Sequence, residues 1–242
     1  MLSAPCYYIY SAGMESSRRH QQAIKRTTIS ANHASREFLH KLNELRWNKS
    51  LVDVVIVGEG DGETEEKSGE IVAHKLLLCG CSPYFNTLFA SHWASDTANQ
   101  GELEKHKVAG VSTNNLRALV DFMYHGEIEI TEDNAADILV AADMFLMKRL
   151  KDAICKFMQT VICAANCVFI ARLADIYFCS ELRASAKRFM KRNFEDVCRT
   201  EDWLELGVGD VEELISCDNI YVQTEETVVE AIQLWLARWG GG

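Results

Sequence analysis

Proline is nearly absent from this chain: of 242 residues only Pro5 and Pro83 are proline, and positions 84–242 have none. A helix interior cannot hold proline without losing a hydrogen bond, so that long stretch suits a helix-rich structure. Positive charge is also scarce. Lys and Arg number 25 against 35 Asp and Glu, a net charge of −10. That balance excludes an ordinary nucleic-acid binder, whose basic surface must neutralise phosphates. No apolar run approaches the roughly 20 residues of a membrane-spanning helix. No GxSxG, glycine-rich phosphate loop or HExxH occurs, so no familiar hydrolase, nucleotide or metalloprotease site is written here. The cysteines form no paired CxxC of zinc spacing either. Neither a cofactor, a metal nor an active site is expected, and the partners of an acidic chain like this one are expected to be proteins.

Cysteine, by contrast, is plentiful and odd in number: nine, at positions 6, 79, 81, 155, 163, 167, 179, 198 and 217. Most fall inside apolar helical patterns and read as small buried hydrophobes. Met1 to Ser11 is weakly apolar, but Arg18, Arg19, Lys25 and Arg26 follow it, whereas a signal peptide carries its cations first. Without a secretory leader, reduced thiols in the cytoplasm are the default. Residues 1–32 read as a disordered tail, with a mitochondrial presequence as the alternative and Met14 as an alternative start. Within the tail, Thr27-Thr28-Ile29 is suited to adding a strand to a partner's sheet edge.

From His33 to Trp47 the apolar residues Phe38, Leu42 and Leu45 recur at helical spacing. Leu51–Val57 (LVDVVIV) is a β-branched run and predicts a buried strand. Its Asp53 needs a partner, since burying a lone charge is costly, and Lys75 is the best neighbour in sequence. The acidic EGDGETEEKSGE that follows is a solvated hairpin loop by composition. Ile71–Phe89 (IVAHKLLLCGCSPYFNTLF) then joins a short strand to two helices, the second begun by Ser82-Pro83 as cap and first turn. His74, at the strand-to-helix junction, is expected to make a structural hydrogen bond.

A brief strand is expected around Val108. Ser112 or Thr113 caps the next helix, whose stripe is Leu116, Leu119, Val120 and Met123. Glu127–Ile130 alternates and predicts a short strand, and Thr131–Met144 and Phe145–Met158 predict helices. Beyond Val161 only helices are predicted, at 167–178, 181–194, 202–206, 211–215 and 225–239, the last capped by Thr224.

The ordered core AHK…L…SPYF…F, with LVDFMYHGEIEITEDN…LVAADMFLM after it, resembles the BTB/POZ family. The residues NCVFIARLAD, RFMKRNFEDV, WLEL and TEETVVEAIQLWLARW resemble the BACK domain of kelch-like proteins, most nearly of gigaxonin type. The resemblance covers about residues 33–239. It implies an α+β fold, with a BTB/POZ domain of helices around a small sheet at 33–160 and an all-α partial BACK domain at 161–239. In such a family the first helix packs against its copy, so Phe38, Leu42 and Leu45 become dimer contacts, supported by Asp53 and Lys75. The rival reading is that those apolar residues only cover the chain's own core.

Family adaptors that recruit a cullin scaffold carry a hydrophobic residue, any residue and then Glu after this third helix. Here Trp93 takes the hydrophobic position and Ser95 stands where Glu is expected, with Asp96 next. Tyr84, Phe89 and Tyr124 are nominated on the same docking surface, and Asn166–Arg172 on the first BACK helices. No kelch-type repeat with double glycines near a 50-residue period is present. The resemblance implies a dimeric adaptor linking a cullin-3 RING ubiquitin ligase to an unknown target. The alternatives are a non-ligase BTB scaffold in transcriptional or cytoskeletal assembly, a short regulator or fragment that pairs with longer BTB proteins, and a thiol redox sensor with a cysteine of depressed pKa. A cytoplasmic location is expected, with cytoskeletal association or the nucleus as further settings.

Overall fold

The computed structural model describes residues 34–59, 69–90, 103–216, 220–222 and 224–239. The tail at 1–32, the acidic segment 60–68 and the pair Trp93 and Ser95 lie outside these. The first unit sets helices around a three-stranded sheet, the α+β arrangement that the resemblance implies. Strand β1 (Val54–Glu59) is central, antiparallel to β2 (Glu70–Ala73) and parallel to β3 (Glu104–Ser112). Its β-branched run buries Val54, Val55 and Ile56 on both faces. A bulge after Val57 brings Gly58 against Thr113, which begins the helix that follows β3. A Cβ at Gly58 would stand 2.8 Å from Thr113 Cα, so only glycine fits there.

The strand expected from Leu51 begins three residues later. Leu51 and Lys49 have φ near +59° and +51°, because the chain must turn sharply out of α1 (Ala34–Trp47) to enter the sheet. Helices α2 (Lys75–Cys81) and α3 (Pro83–Ala90) meet at Ser82, which is fully buried. Its hydroxyl donates to Phe145 O at 2.7 Å and accepts from the Phe85 N–H at 3.5 Å, as the capping role requires. Helix α4 (Thr113–His125) is capped by Ser112, whose Oγ accepts from the Asn115 N–H at 3.2 Å. It buries Leu116, Leu119, Val120 and Met123, and each such side chain contributes roughly 1.5–3 kcal/mol. Among the described residues Glu127–Ile130 pairs with no strand. The side chain of Asn134 holds this segment instead, its Nδ2 donating to Glu129 O at 3.1 Å.

The inward face of α1 is not the apolar stripe. Asn43 and Arg46 are buried, Leu42 and Leu45 are half-buried, and Phe38 is 62% exposed. The face that packs is therefore rotated by about one residue, on the order of 100°. Polar bonds explain it: Arg46 Nε donates to Val72 O at 2.8 Å and Nη1 to Asp121 at 2.6 Å. Asn43 meets His125 at 3.0 Å.

Beyond α4 the chain makes one helical hairpin twice. Helix α5 (Ala135–Met144) and α6 (Lys148–Thr160) recur 32 residues later as α7 (Cys167–Ile176) and α8 (Ser180–Arg192), with the same lengths. Asn134 Oδ1 accepts from the Thr131 N–H at 2.9 Å, and Asn166 Oδ1 from the Cys163 N–H at 2.8 Å. The turn residues Leu146 and Phe178 have φ of +56° and +55°. The N–H of Met147 returns to Ala142 O, and that of Cys179 to Ala174 O, the bond that closes a helix end of Schellman type. Lys151 pairs with Asp143 and Arg183 with Asp175.

The remaining part is helical: α9 (Phe194–Val197), a 3-10 turn at Glu201–Glu205, α10 (Val208–Ile215) and α11 (Glu225–Trp239). Two tryptophans interlock it. Trp203 Nε1 donates to Ala231 O at 3.2 Å, and Trp235 Nε1 donates to Leu206 O at 2.8 Å. Each indole thus satisfies its one donor on the other's segment, and both rings stay in the core.

Arg46→Ala should lower stability by about 2–3 kcal/mol, since a buried guanidinium with charge-assisted bonds is lost and Val72 O is left unpaired. Denaturant midpoints of variant and parent, at unchanged slope, measure this.

Candidate functional site

The junction between β2 and α2 gathers the residues that a sequence reading singles out. His74 is buried, and Tyr124 is 1% exposed. The Tyr124 hydroxyl accepts from the His74 backbone N–H at 3.0 Å and lies 2.7 Å from Nδ1. Ser50 O can only accept, so the ring proton sits on Nε2 and Nδ1 is left to accept from the Tyr124 hydroxyl. That proton faces Ser50 O at 3.4 Å. The Arg46 guanidinium lies 4.8 Å above the Tyr124 ring. These bonds tie α1, β2 and α4 together. The group is architecture.

Tyr124 is therefore not a docking-surface residue: a side chain closed inside its own core offers nothing to a partner. The same correction applies to Phe89, which is 3% exposed. Its ring packs against Phe85 at 5.8 Å and His106 at 5.1 Å. Tyr84 is half-buried, edge-on to Phe145 at 5.1 Å, and retains an accessible part. Trp93 and Ser95 lie outside the described residues.

Asp53 and Lys75 are joined, though through the backbone. Asp53 is exposed, just ahead of β1, and its Oδ1 accepts from the Lys75 N–H at 2.7 Å, which caps α2 with a carboxylate. The Lys75 ammonium pairs with Glu104, whose other oxygen meets His106 Nε2 at 2.7 Å. Both predicted dimer-supporting residues thus have work within the chain.

The exposed apolar residues fall into groups. Phe38, Trp47 and Leu51 are 62%, 64% and 78% exposed, on and just after α1. Leu146 and Phe178, at the two hairpin tips, are 60% and 93% exposed. The tips escape a periodicity reading because they sit between helices. The signal that finds them is the pairing of Asp-Met-Phe-Leu-Met at 143–147 with Asp-Ile-Tyr-Phe-Cys at 175–179.

For five of the cysteines the chemistry points away from a redox role. Burial pushes the thiols of Cys79, Cys81 and Cys198 up, that of Cys167 to about 11 and that of Cys155 to about 12. A sensor needs the opposite direction. Among the described residues no group of three or more His, Cys, Asp or Glu could hold a metal ion, and no helix is long and apolar enough to cross a membrane.

Residues 42–162 match the BTB/POZ domain family, and residues 167–239 match BACK, "BTB And C-terminal Kelch". The chain belongs to the BTB/POZ family, in its BACK-containing, kelch-like branch. Kelch-like protein 2 of Mus musculus is 33% identical over 209 residues, which are 86% of this chain and 33% of that protein. Kelch-like protein 28 of Mus musculus is 34% identical over 203 residues, 84% of this chain and 33% of that protein. The BTB domain of human gigaxonin is similar over 55% of this chain and 98% of its own, with 26% identity and a TM-score of 0.45. The chain spans about one third of the length of the curated relatives it matches. The chain therefore carries a BTB/POZ domain followed by a BACK domain. The surfaces that matter are then the exposed apolar ones.

Burial raises the Tyr124 hydroxyl from its ordinary 10 to about 12. Below pH 10 folded and unfolded chains both keep this proton, and Tyr124 contributes its full stability. From pH 10 to about 12 the unfolded chain releases it first, so stability falls as pH rises through that window. Tyr124→Phe should remove that part of the alkaline loss in a pH series of urea midpoints. At neutral pH it should cost about 1–2 kcal/mol for the unpaired His74 N–H.

Proposed function

We propose that this chain is a dimeric adaptor that holds a cullin-3 RING ubiquitin ligase beside a target protein, the ligase supplying all the chemistry. The observation that carries the reading is the orientation of α1. Its inner face is closed by Arg46 and Asn43, so the Phe38 stripe is left for another surface. A second copy of α1 is the occupant we infer, with Leu42 and Leu45 flanking the contact and Asp53 and Lys75 setting the local frame. An apolar side chain as exposed as Phe38 gains most by being covered in a dimer.

For the cullin, we infer a docking surface that starts at the accessible part of Tyr84 on α3 and continues to Trp93. Aromatic residues are the usual anchors of such contacts. Ser95 lacks the acidic contact of the hydrophobic-any-Glu pattern, so Trp93 carries more of the binding. We place the target protein on a partner chain and the complex in the cytoplasm. The reading of a non-ligase BTB scaffold differs in one respect only: the dimer forms and no cullin is retained.

Phe38→Glu should convert a dimer to monomers in analytical ultracentrifugation, because two like charges would face across the contact. Trp93→Ala should keep the dimer and lose at least tenfold in cullin-3 retention on an affinity column. Unchanged retention by Trp93→Ala removes that docking assignment. A dimeric parent chain that retains no cullin replaces the ligase reading with the scaffold one.

A further inference from the structure

The repeated hairpin builds the same groove twice. The first, about 650 Å³, runs along α6 from Ala142 and Asp143 to the next hairpin tip at Phe178. The second, about 1030 Å³, runs along α8 from the matching Ala174 and Asp175 to Glu213 and Tyr221. One backbone serves both, so a difference at matched positions reports on what each groove holds rather than on how the hairpin folds. Asp152, Cys155 and Gln159 line the first; 32 residues on, Ala184, Lys187 and Lys191 line the second.

The exchange turns a balanced groove into a cationic one. The first groove balances three cations with three carboxylates, while the second sets five cations against two. This occurs in a chain whose net charge is −10. Arg183 meets Asp175 at 3.0 Å, and Lys187 meets Asp210 at 3.8 Å and also Glu213. Arg188 and Arg192 are exposed. Cations four residues apart on a helix stand about 6 Å apart along its axis. Alternate side chains of an extended peptide repeat at nearly the same distance, roughly 6.6 Å. The rim is apolar: Phe178 and Tyr221 are 93% and 68% exposed. The Tyr221 N–H donates to Lys191 O at 3.0 Å, which fixes that wall to the end of α8.

We propose that the α8 groove is a binding site for an acidic, extended peptide segment of a partner protein, with carboxylates at alternate positions and an aromatic anchor on Phe178 and Tyr221. Arginine-rich surfaces bind such segments through charge-assisted hydrogen bonds. The site stands on the groove's own charges and geometry, independently of cullin docking.

The test is fluorescence anisotropy of the whole chain with a labelled peptide Phe-Ser-Glu-Ser-Glu-Ser-Glu and its Glu-to-Lys counterpart. The acidic peptide should bind, weaken with added salt, and lose at least tenfold on Arg188→Glu together with Arg192→Glu. Lys156→Glu, the position matching Arg188 in the first groove, should leave binding unchanged. Should the double charge reversal fail to fold, by circular dichroism, Arg188→Gln with Arg192→Gln replaces it and should still lose severalfold. Equal binding of the Lys peptide, or equal loss from Lys156→Glu, overturns the site. So does displacement of the peptide by an oligothymidylate that binds more tightly, which would make the groove a nucleic-acid patch.

Discussion

The buried hydroxyl of Tyr124 is the point on which the first unit depends. It accepts the His74 backbone N–H, 3.0 Å away, where the chain leaves β2 and has not yet entered α2. A donor at that junction has no ladder or helix partner and would be costly if left unmade. The Arg46 guanidinium covers the same ring and reaches Val72 O and Asp121. One aromatic side chain thereby joins α1, the sheet and α4. Desolvating a guanidinium is expensive, and its bonds work in only one arrangement of the helix. The polar group sets orientation more than it adds stability. Because α1 is turned to bring Arg46 inward, the Phe38 stripe is turned outward.

The same logic shows what was legible in the residues themselves. The stripe Leu116, Leu119, Val120, Met123, the caps at Ser82 and Ser112, and the β-branched run of β1 were readable because their cause is local. The inward face of α1 was not. An arginine at a core position reads as a solvated residue, and its partner Asp121 lies 75 positions away. Phe89 and Tyr124 were misplaced for a related reason: apolar and aromatic residues at helical spacing mark a face, and nothing in the spacing says whether that face meets its own core or a partner. The alternation at Glu127–Ile130 is real, but alternation needs a neighbouring strand to become a sheet. There a side-chain amide took the backbone bond.

The hairpin repeat was hidden in another way. Few side chains are shared between its halves: Asn134 and Asn166, Ile138 and Ile170, Ala142 and Ala174, Asp143 and Asp175, Leu150 and Leu182, Phe157 and Phe189, and Met158 and Met190 are identical. These are the residues with jobs in the backbone and the shared core: turn, ion pair, packing. What is free to differ lies along the grooves, and there the two halves diverge in charge.

The tips of the hairpins carry the argument one step further. A bulky L-residue in the left-handed region costs roughly 1–2 kcal/mol, and glycine would close the same helix end without that cost. The chain does use glycine this way at the end of α4, where Gly126 has φ of +76°. At Leu146 and Phe178 it does not, although their φ values of +56° and +55° ask for it. The turn itself gains nothing from either side chain, since both are exposed. Each strained turn places an apolar side chain at the mouth of a groove. Phe178, which lines both, gives the second groove its anchor and the first its wall.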